Sequence, residues 1–146
     1  MVVVSTAPLE YRTELACPPA RAFDTYTDLG SWWDPMYTAD AQTFTGVRVE
    51  RRLGGSIVEE HADGAEYVWG TITLWQPGML LSHSFLLAHE TGVASQVLVR
   101  FAPAAGGTEL HLQHGGWNED NLADRSRFTD WPVLLEGLRR RVGAID

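Results

Sequence analysis

Between residues 41 and 114 the sequence alternates apolar and polar side chains at period two, and glycine-bearing turns break the alternation at short intervals. Period two sends successive side chains to opposite faces of a strand, whereas one helix face needs an apolar residue every three or four positions. Residues 41–50, 56–61, 66–75, 79–87, 93–101 and 108–114 therefore each predict a strand. The separators Gly54-Gly55, Asp63-Gly64, Pro77-Gly78, Thr91-Gly92 and Gly106-Gly107 are turn pairs. Connections this short join antiparallel neighbours, so these segments predict a meander.

A further strand is predicted at residues 9–16, where Leu9, Tyr11, Thr13 and Leu15 share one face. Pro18 and Pro19 then open a helix over 18–28, with Ala22, Phe23 and Tyr26 at helical spacing. The segment Gly30-Ser-Trp-Trp-Asp-Pro-Met-Tyr37 predicts a second short helix stopped by Pro35, whose ring disfavours helix in the residue before it. Adjacent helical positions point about 100° apart, so Trp32 and Trp33 cannot face the same neighbour. One is expected to anchor the turn on the sheet, and the other to line a cavity mouth beside Met36 and Tyr37. Beyond Trp117 the alternation stops, and Leu122, Phe128, Trp131, Leu134, Leu135, Leu138 and Val142 fall mostly at three- and four-residue steps. They predict an amphipathic helix over 119–142, kinked or restarted at Pro132.

A chain of 146 residues with 45% hydrophobic side chains predicts one globular domain over 1–146. The formal charge of -8 repels phosphate backbones and anionic membrane surfaces, so nucleic acid is not an expected partner. All 11 basic residues are arginine, which excludes Schiff-base chemistry and a phosphate-loop lysine. Cys17 has no partner for an internal disulfide, and a reducing, cytoplasmic location is the expectation. The start Met-Val-Val-Val-Ser-Thr-Ala-Pro carries no basic residue before Arg12, and no stretch approaches the roughly 20 apolar residues that cross a bilayer. Neither export nor membrane insertion is expected.

Several motifs fall in a telling order. Pro19-x-x-x-Phe23 leads to Trp32-Trp33-x-Pro35, then to Arg52-Leu53-Gly54-Gly55 and to Gly70-Thr71-Ile72 running into Gln76-Pro77. Gly107-Thr108-x-Leu110-x-Leu112-x-His114-x-Gly116 and Trp131-Pro132-x-x-Leu135-x-x-Leu138 follow. With these motifs the chain resembles the START-like (SRPBCC) superfamily. Within it, the likeness is to bacterial single-domain relatives of the C-terminal domain of the activator of the heat-shock-protein-90 ATPase. The resemblance implies an α+β helix-grip fold: a curved antiparallel sheet wrapped around a long C-terminal helix, with two short helices after the first strand. It also implies a cavity between sheet and helix for apolar small molecules such as lipids, hormones or polyketides. Passive carriers, cyclase or aromatase enzymes and chaperone-binding domains all fall within the family's range. The eukaryotic chaperone activator uses a further N-terminal domain for which this chain is too short, which lowers the co-chaperone reading.

Strand parity selects the polar candidates. His83 shares parity with Leu81, Phe85 and Leu87, which places an imidazole in an apolar row: a cavity group, or a buried histidine held by a carbonyl. Glu59 and His61 share parity with Ile57, which gives the minimum equipment for acid-base catalysis or, so near a turn, two solvated groups. His114, in step with Leu110 and Leu112, favours a structural role. His111 and His114 are three apart, which on a strand sends them to opposite faces and argues against a metal site. No nucleophile elbow or dinucleotide fingerprint occurs, so no cofactor is expected. Tyr67, Trp69 and Thr71 share one face of their strand and Val68, Gly70 and Ile72 the other, which puts Trp69 at a cavity border.

The expected ligand-binding set is Trp32, Trp33, Met36, Tyr37, Trp69, His83, Phe85, Trp131 and Leu135, with His83, Glu59 and His61 as catalytic candidates. The function expected first is binding of a small apolar or aromatic, lipid-like or polyketide-like ligand. The alternatives are a cyclase or aromatase using the same cavity, and a chaperone-interacting domain. A homodimer is left open.

Overall fold

A computed structural model describes residues 5–143. The apolar start at residues 1–4 and the last residues, 144–146, lie outside the described part. The strands are β1 (Leu9–Leu15), β2 (Phe44–Val49), β3 (Ser56–His61), β4 (Glu66–Gln76), β5 (Leu80–Phe85), β6 (Ser95–Ala104) and β7 (Gly107–Gly115). The helices are α1 (Pro19–Thr27) and α2 (Trp131–Gly143), with tighter 3-10 turns at Leu29–Ser31, Pro35–Tyr37 and Leu122–Phe128.

All strands join one antiparallel sheet in the order β1-β7-β6-β5-β4-β3-β2, and it curls into a half-barrel. The meander from β2 to β7 follows the chain, and β1 closes the row beside β7. Inward rows of alternate residues supply the core: Leu81 and Phe85 from β5, Val97 and Val99 from β6, Leu110 and Leu112 from β7. α1 lies against β6 and β7, and α2 packs on β1 and α1, which completes the helix-grip arrangement.

Strand edges move where local chemistry overrides periodicity. The strand predicted over 41–50 begins only at Phe44, because Asp40 accepts the Gln42 amide in a turn ahead of it. The 79–87 segment keeps Leu80–Phe85, because Met79 donates its amide to Gln76 in the preceding turn.

Extra residues bulge β4 twice. Val58 pairs with Val68 while Ile57 pairs with Gly70, so Trp69 is inserted into β4. Such an insertion re-aims the side chain. Simple parity therefore fails here: Trp69 is 1% exposed, whereas Tyr67 and Thr71, expected on its face, are both exposed. Gly70 permits the bend, since a Cβ there would lie 1.9 Å from the carbonyl oxygen of Ser84.

The tryptophan pair is not helical. Trp32 and Trp33 lie between two 3-10 turns, and Pro35 begins the second turn instead of ending a first. Pro35 holds Asp34 extended at ψ 120°, and the Asp34 carboxylate accepts the Met36 amide.

The helix predicted over 119–142 is also corrected. Residues Leu122–Phe128 form a 3-10 turn, and α2 starts afresh at Trp131. A proline ring fits the first helical turn because no N–H is needed there, so Pro132 starts the helix where it would break a longer one.

Candidate functional site

A cavity of about 670 Å³ lies between β3, β4, the end of β5, the segment 33–39 and the start of α2. Its size suits a small organic molecule. Trp33, Tyr37, Trp69, Phe85, Phe128 and Trp131 supply aromatic wall, with Leu86, Leu87 and Leu134 beside them. The rings pack at steep angles to one another: Trp33 meets Trp69 at 4.7 Å and Trp131 at 5.7 Å, and Phe85 meets Trp69 at 5.9 Å. Met36, 76% exposed, marks the mouth.

The stretch around the tryptophan pair is pinned across this mouth. Trp33 Nε1 donates to the Tyr37 carbonyl at 3.1 Å, and the Tyr37 hydroxyl donates to Asp130 Oδ2 at 3.0 Å. The Ala39 amide donates to Glu59 Oε2 at 3.0 Å. Asp130 also starts α2, its carbonyl accepting the amides of Val133 and Leu134. At the opposite rim Ala88 has φ +58°, a left-handed conformation rarely held by a residue with a Cβ. Asp124 holds that loop, accepting from the Glu90 amide at 2.9 Å and the Thr91 hydroxyl at 2.6 Å. Burial works to raise the Asp124 pKa, but these donors outweigh it and keep the carboxyl below its ordinary value.

Glu59 is the one fully buried charged group of the cavity wall. Its Oε1 accepts from Trp69 Nε1 at 2.9 Å, and its Oε2 accepts from the Ala39 amide and is hydrogen-bonded to His61 Nε2. The Trp69 indole and the Ala39 amide can only donate, so each carboxyl oxygen of Glu59 accepts from one of them. The other His61 nitrogen is hydrogen-bonded to the Thr43 hydroxyl at 2.7 Å. The solvated alternative for this pair is corrected: Glu59 is 0% exposed and His61 7%, because Ala39 and the rings of Trp69, Phe44 and Tyr67 pack against them.

His83 lies deeper. Its Nδ1 donates to the Ser84 carbonyl at 2.9 Å, and its buried Nε2 has no partner among the described residues. Burial pushes its pKa down to about 4. His114 belongs to a relay that alternation does not predict. Trp131 Nε1 can only donate, so His114 Nδ1 accepts it at 3.1 Å and His114 Nε2 donates to Ser95 Oγ at 2.6 Å. The Leu87 carbonyl can only accept, so His89 Nδ1 donates to it and His89 Nε2 takes the Ser95 hydroxyl at 2.8 Å. Every member of the relay has a hydrogen-bond partner. Burial, with His89 and His83 nearby, holds the His114 pKa down at about 3.

Of the residues expected from sequence, Trp33, Met36, Tyr37, Trp69, Phe85, Trp131 and Glu59 line the cavity. Trp32, His61, His83 and Leu135 do not. Trp32 turns the other way, donating Nε1 to the Tyr26 carbonyl at 3.1 Å and lying against the Tyr26 ring. It also sits where α2 comes closest: a Cβ on Gly137 would be 2.8 Å from the Trp32 carbonyl oxygen. His61 stands behind Glu59, and His83 is flanked by Ile72 and Val97 on the neighbouring strands. Leu135 packs in the core one position from Leu134, which lines the wall in its place. Glu66, Phe128, Arg127 and Asp130 were missed because they lie at a strand end or in irregular segments without period, although Asp130 ahead of Trp131-Pro132 carries a helix-start signal. On opposite sheet faces, His111 bonds Glu10 at the surface while His114 is buried. No helix among the described residues is long and apolar enough to cross a membrane.

Solved structures share this architecture. A Mesorhizobium loti protein superposes with a TM-score of 0.72 at 18% identity, covering 95% of this chain and 98% of that one. A Rhodobacter sphaeroides protein matches at 0.68 and 23%, covering 94% and 90%. A Colwellia psychrerythraea protein solved as an Aha1 dimer matches at 0.65 and 17%, covering 92% and 95%. No curated protein matches the sequence. Residues 16–143 match the family described as Activator of Hsp90 ATPase homolog 1-like protein, which lies in the SRPBCC superfamily. The chain belongs to this family.

Proposed function

We propose that the protein binds a small apolar or aromatic molecule in the cavity between the sheet and α2. The observation that carries this reading is a space of about 670 Å³ walled by Trp33, Trp69, Phe85 and Trp131, whose surface is mostly apolar. Rings of this kind supply contact area at low conformational cost, and Glu59 fixes the orientation of one of them through Trp69. Native mass spectrometry of the freshly purified protein, followed by solvent extraction, tests the reading. A reproducible small-molecule adduct is the expected result; a clean mass, with no change in tryptophan emission across a panel of apolar compounds, contradicts it.

A second reading, a cyclase- or aromatase-type enzyme, is favoured by Glu59 alone, since it is the one catalytic candidate in the cavity wall. His61 then acts as a positioning residue behind it. A chaperone contact is the third reading; it rests on the family and on the exposed side chains of Met36 at the mouth and Val133 on α2. The whole chain, 1–146, is read as one unit working in the cytoplasm, consistent with the free, buried Cys17. The dimer formed by the Colwellia psychrerythraea protein supports a homodimer as its assembly.

A further inference from the structure

The charges around the cavity do not balance. Its lining holds three carboxylates, those of Glu59, Glu66 and Asp130, and one guanidinium, that of Arg127. Arg127 is engaged outside the cavity by Glu90 at 2.8 Å, and Glu66 is matched by Arg48 at 3.0 Å. Among the described residues, Glu59 and Asp130 are left without an arginine. The chain has no lysine to reach them. Asp130 is exposed and keeps water, but Glu59 is fully buried, and a buried carboxylate ordinarily has a cation beside it. Of the groups bonded to Glu59, His61 is the one able to carry positive charge.

The aromatic wall has the same sign preference. Ring faces are electron-rich and attract cations within about 6 Å of the centroid, tryptophan most strongly. Donation from the Trp69 indole N–H to Glu59 pushes further electron density into that ring, because hydrogen-bonded groups polarise one another. A fatty acid or a phosphate ester entering here meets three carboxylates and, among the described lining residues, a single guanidinium that Glu90 already engages.

Building on the ligand-binding reading above, we propose that the cavity selects an apolar molecule bearing an ammonium or quaternary ammonium group, and rejects apolar carboxylates and phosphates of the same shape. The cationic head lies against Trp33 and Trp69 on the side of Glu59, and the apolar body runs along Phe85 and Trp131. Asp130 at the mouth adds attraction from outside, sensitive to salt.

The test is isothermal titration calorimetry of the full chain with a matched set: 4-phenylbutylamine, 4-phenylbutanol and 4-phenylbutyrate at pH 7. The amine is expected to bind about tenfold more tightly than the alcohol, and the carboxylate most weakly, a difference of the size of one desolvated cation–ring contact. Glu59→Gln is expected to erase most of the amine's advantage, read as the ratio of amine to alcohol affinity within the same variant. Should Glu59→Gln not fold, Asp130→Asn, which keeps an acceptor for Tyr37, is expected to lower the ratio of amine to alcohol affinity and the salt dependence of that ratio. Equal binding of alcohol and amine, or preference for the carboxylate, overturns the charge selectivity and leaves the apolar cavity reading standing. Failure of all three to bind overturns both.

Discussion

Trp69 donates its indole N–H to Glu59 at 2.9 Å, and both side chains are buried, so the wall of the cavity and its single buried charge are one unit. Trp69→Phe keeps a ring but leaves Glu59 Oε1 without its donor. An unmet buried acceptor costs about 1–3 kcal/mol. Urea unfolding is expected to show a loss of that size, accompanied by weaker binding of the cavity's ligand. A variant as stable as the parent means that water reaches Glu59 freely.

The two neighbouring tryptophans divide the labour of anchoring and lining. Each is buried, so Trp32→Ala and Trp33→Ala are both expected to destabilise by about 3–5 kcal/mol. Only Trp33→Ala removes cavity wall. Comparison of ligand occupancy in the folded fraction of each variant checks this, and an equal loss in both contradicts the division.

Stability should fall in mild acid. His83 and His114 have native pKa values depressed to about 4 and about 3, whereas the unfolded chain binds a proton near the ordinary histidine value of about 6.5. Between these values the unfolded state holds more protons. Their contribution is therefore complete above about pH 6.5 and lost as pH falls, by up to about 1.4 kcal/mol per pH unit for each histidine. Urea midpoints from pH 7.5 to 4.5 are expected to decline with this slope, and His83→Phe to flatten it. Parallel curves for the parent and His83→Phe count against the account.

Gly70→Ala is expected to be among the most damaging single substitutions. The added methyl would lie 1.9 Å from the Ser84 carbonyl oxygen, which is backbone and cannot swing aside. Separating β4 from β5 displaces the bulge that aims Trp69 inward. A loss above about 4 kcal/mol, read by thermal unfolding or by failure to accumulate folded protein, is the expected outcome. Near-parental stability means the bulge adjusts.

Tyr37 and Asp130 tie the mouth to the start of α2 through one exposed hydrogen bond. Tyr37→Phe should leave the fold intact and speed ligand exchange at the mouth. Hydrogen exchange of the amides at 36–39 measures this directly, and unchanged exchange shows that the hydroxyl does not hold the mouth.

Much of the fold was legible because it follows from neighbours in sequence. Alternation sets the strands, turn pairs set their antiparallel order, and the buried row Leu81, His83, Phe85 follows from parity on an unbroken strand. Glu59 and His61 were paired by the same rule, and they do share a face. Where the chain inserts an extra residue, the rule fails. Trp69 faces inward because β3 and β4 shift register at Ile57 and Val58, a pairing between distant segments that alternation within β4 does not encode. Likewise Trp33 and not Trp32 lines the cavity, Leu134 and not Leu135 meets it, and His89, Ser95 and His114 join in one relay. Sequence by itself determined which residues are apolar, ionisable or able to turn the chain. The tertiary structure alone decided which of them meet, because helix rotation, bulges and loop closure are set by packing between segments far apart along the chain.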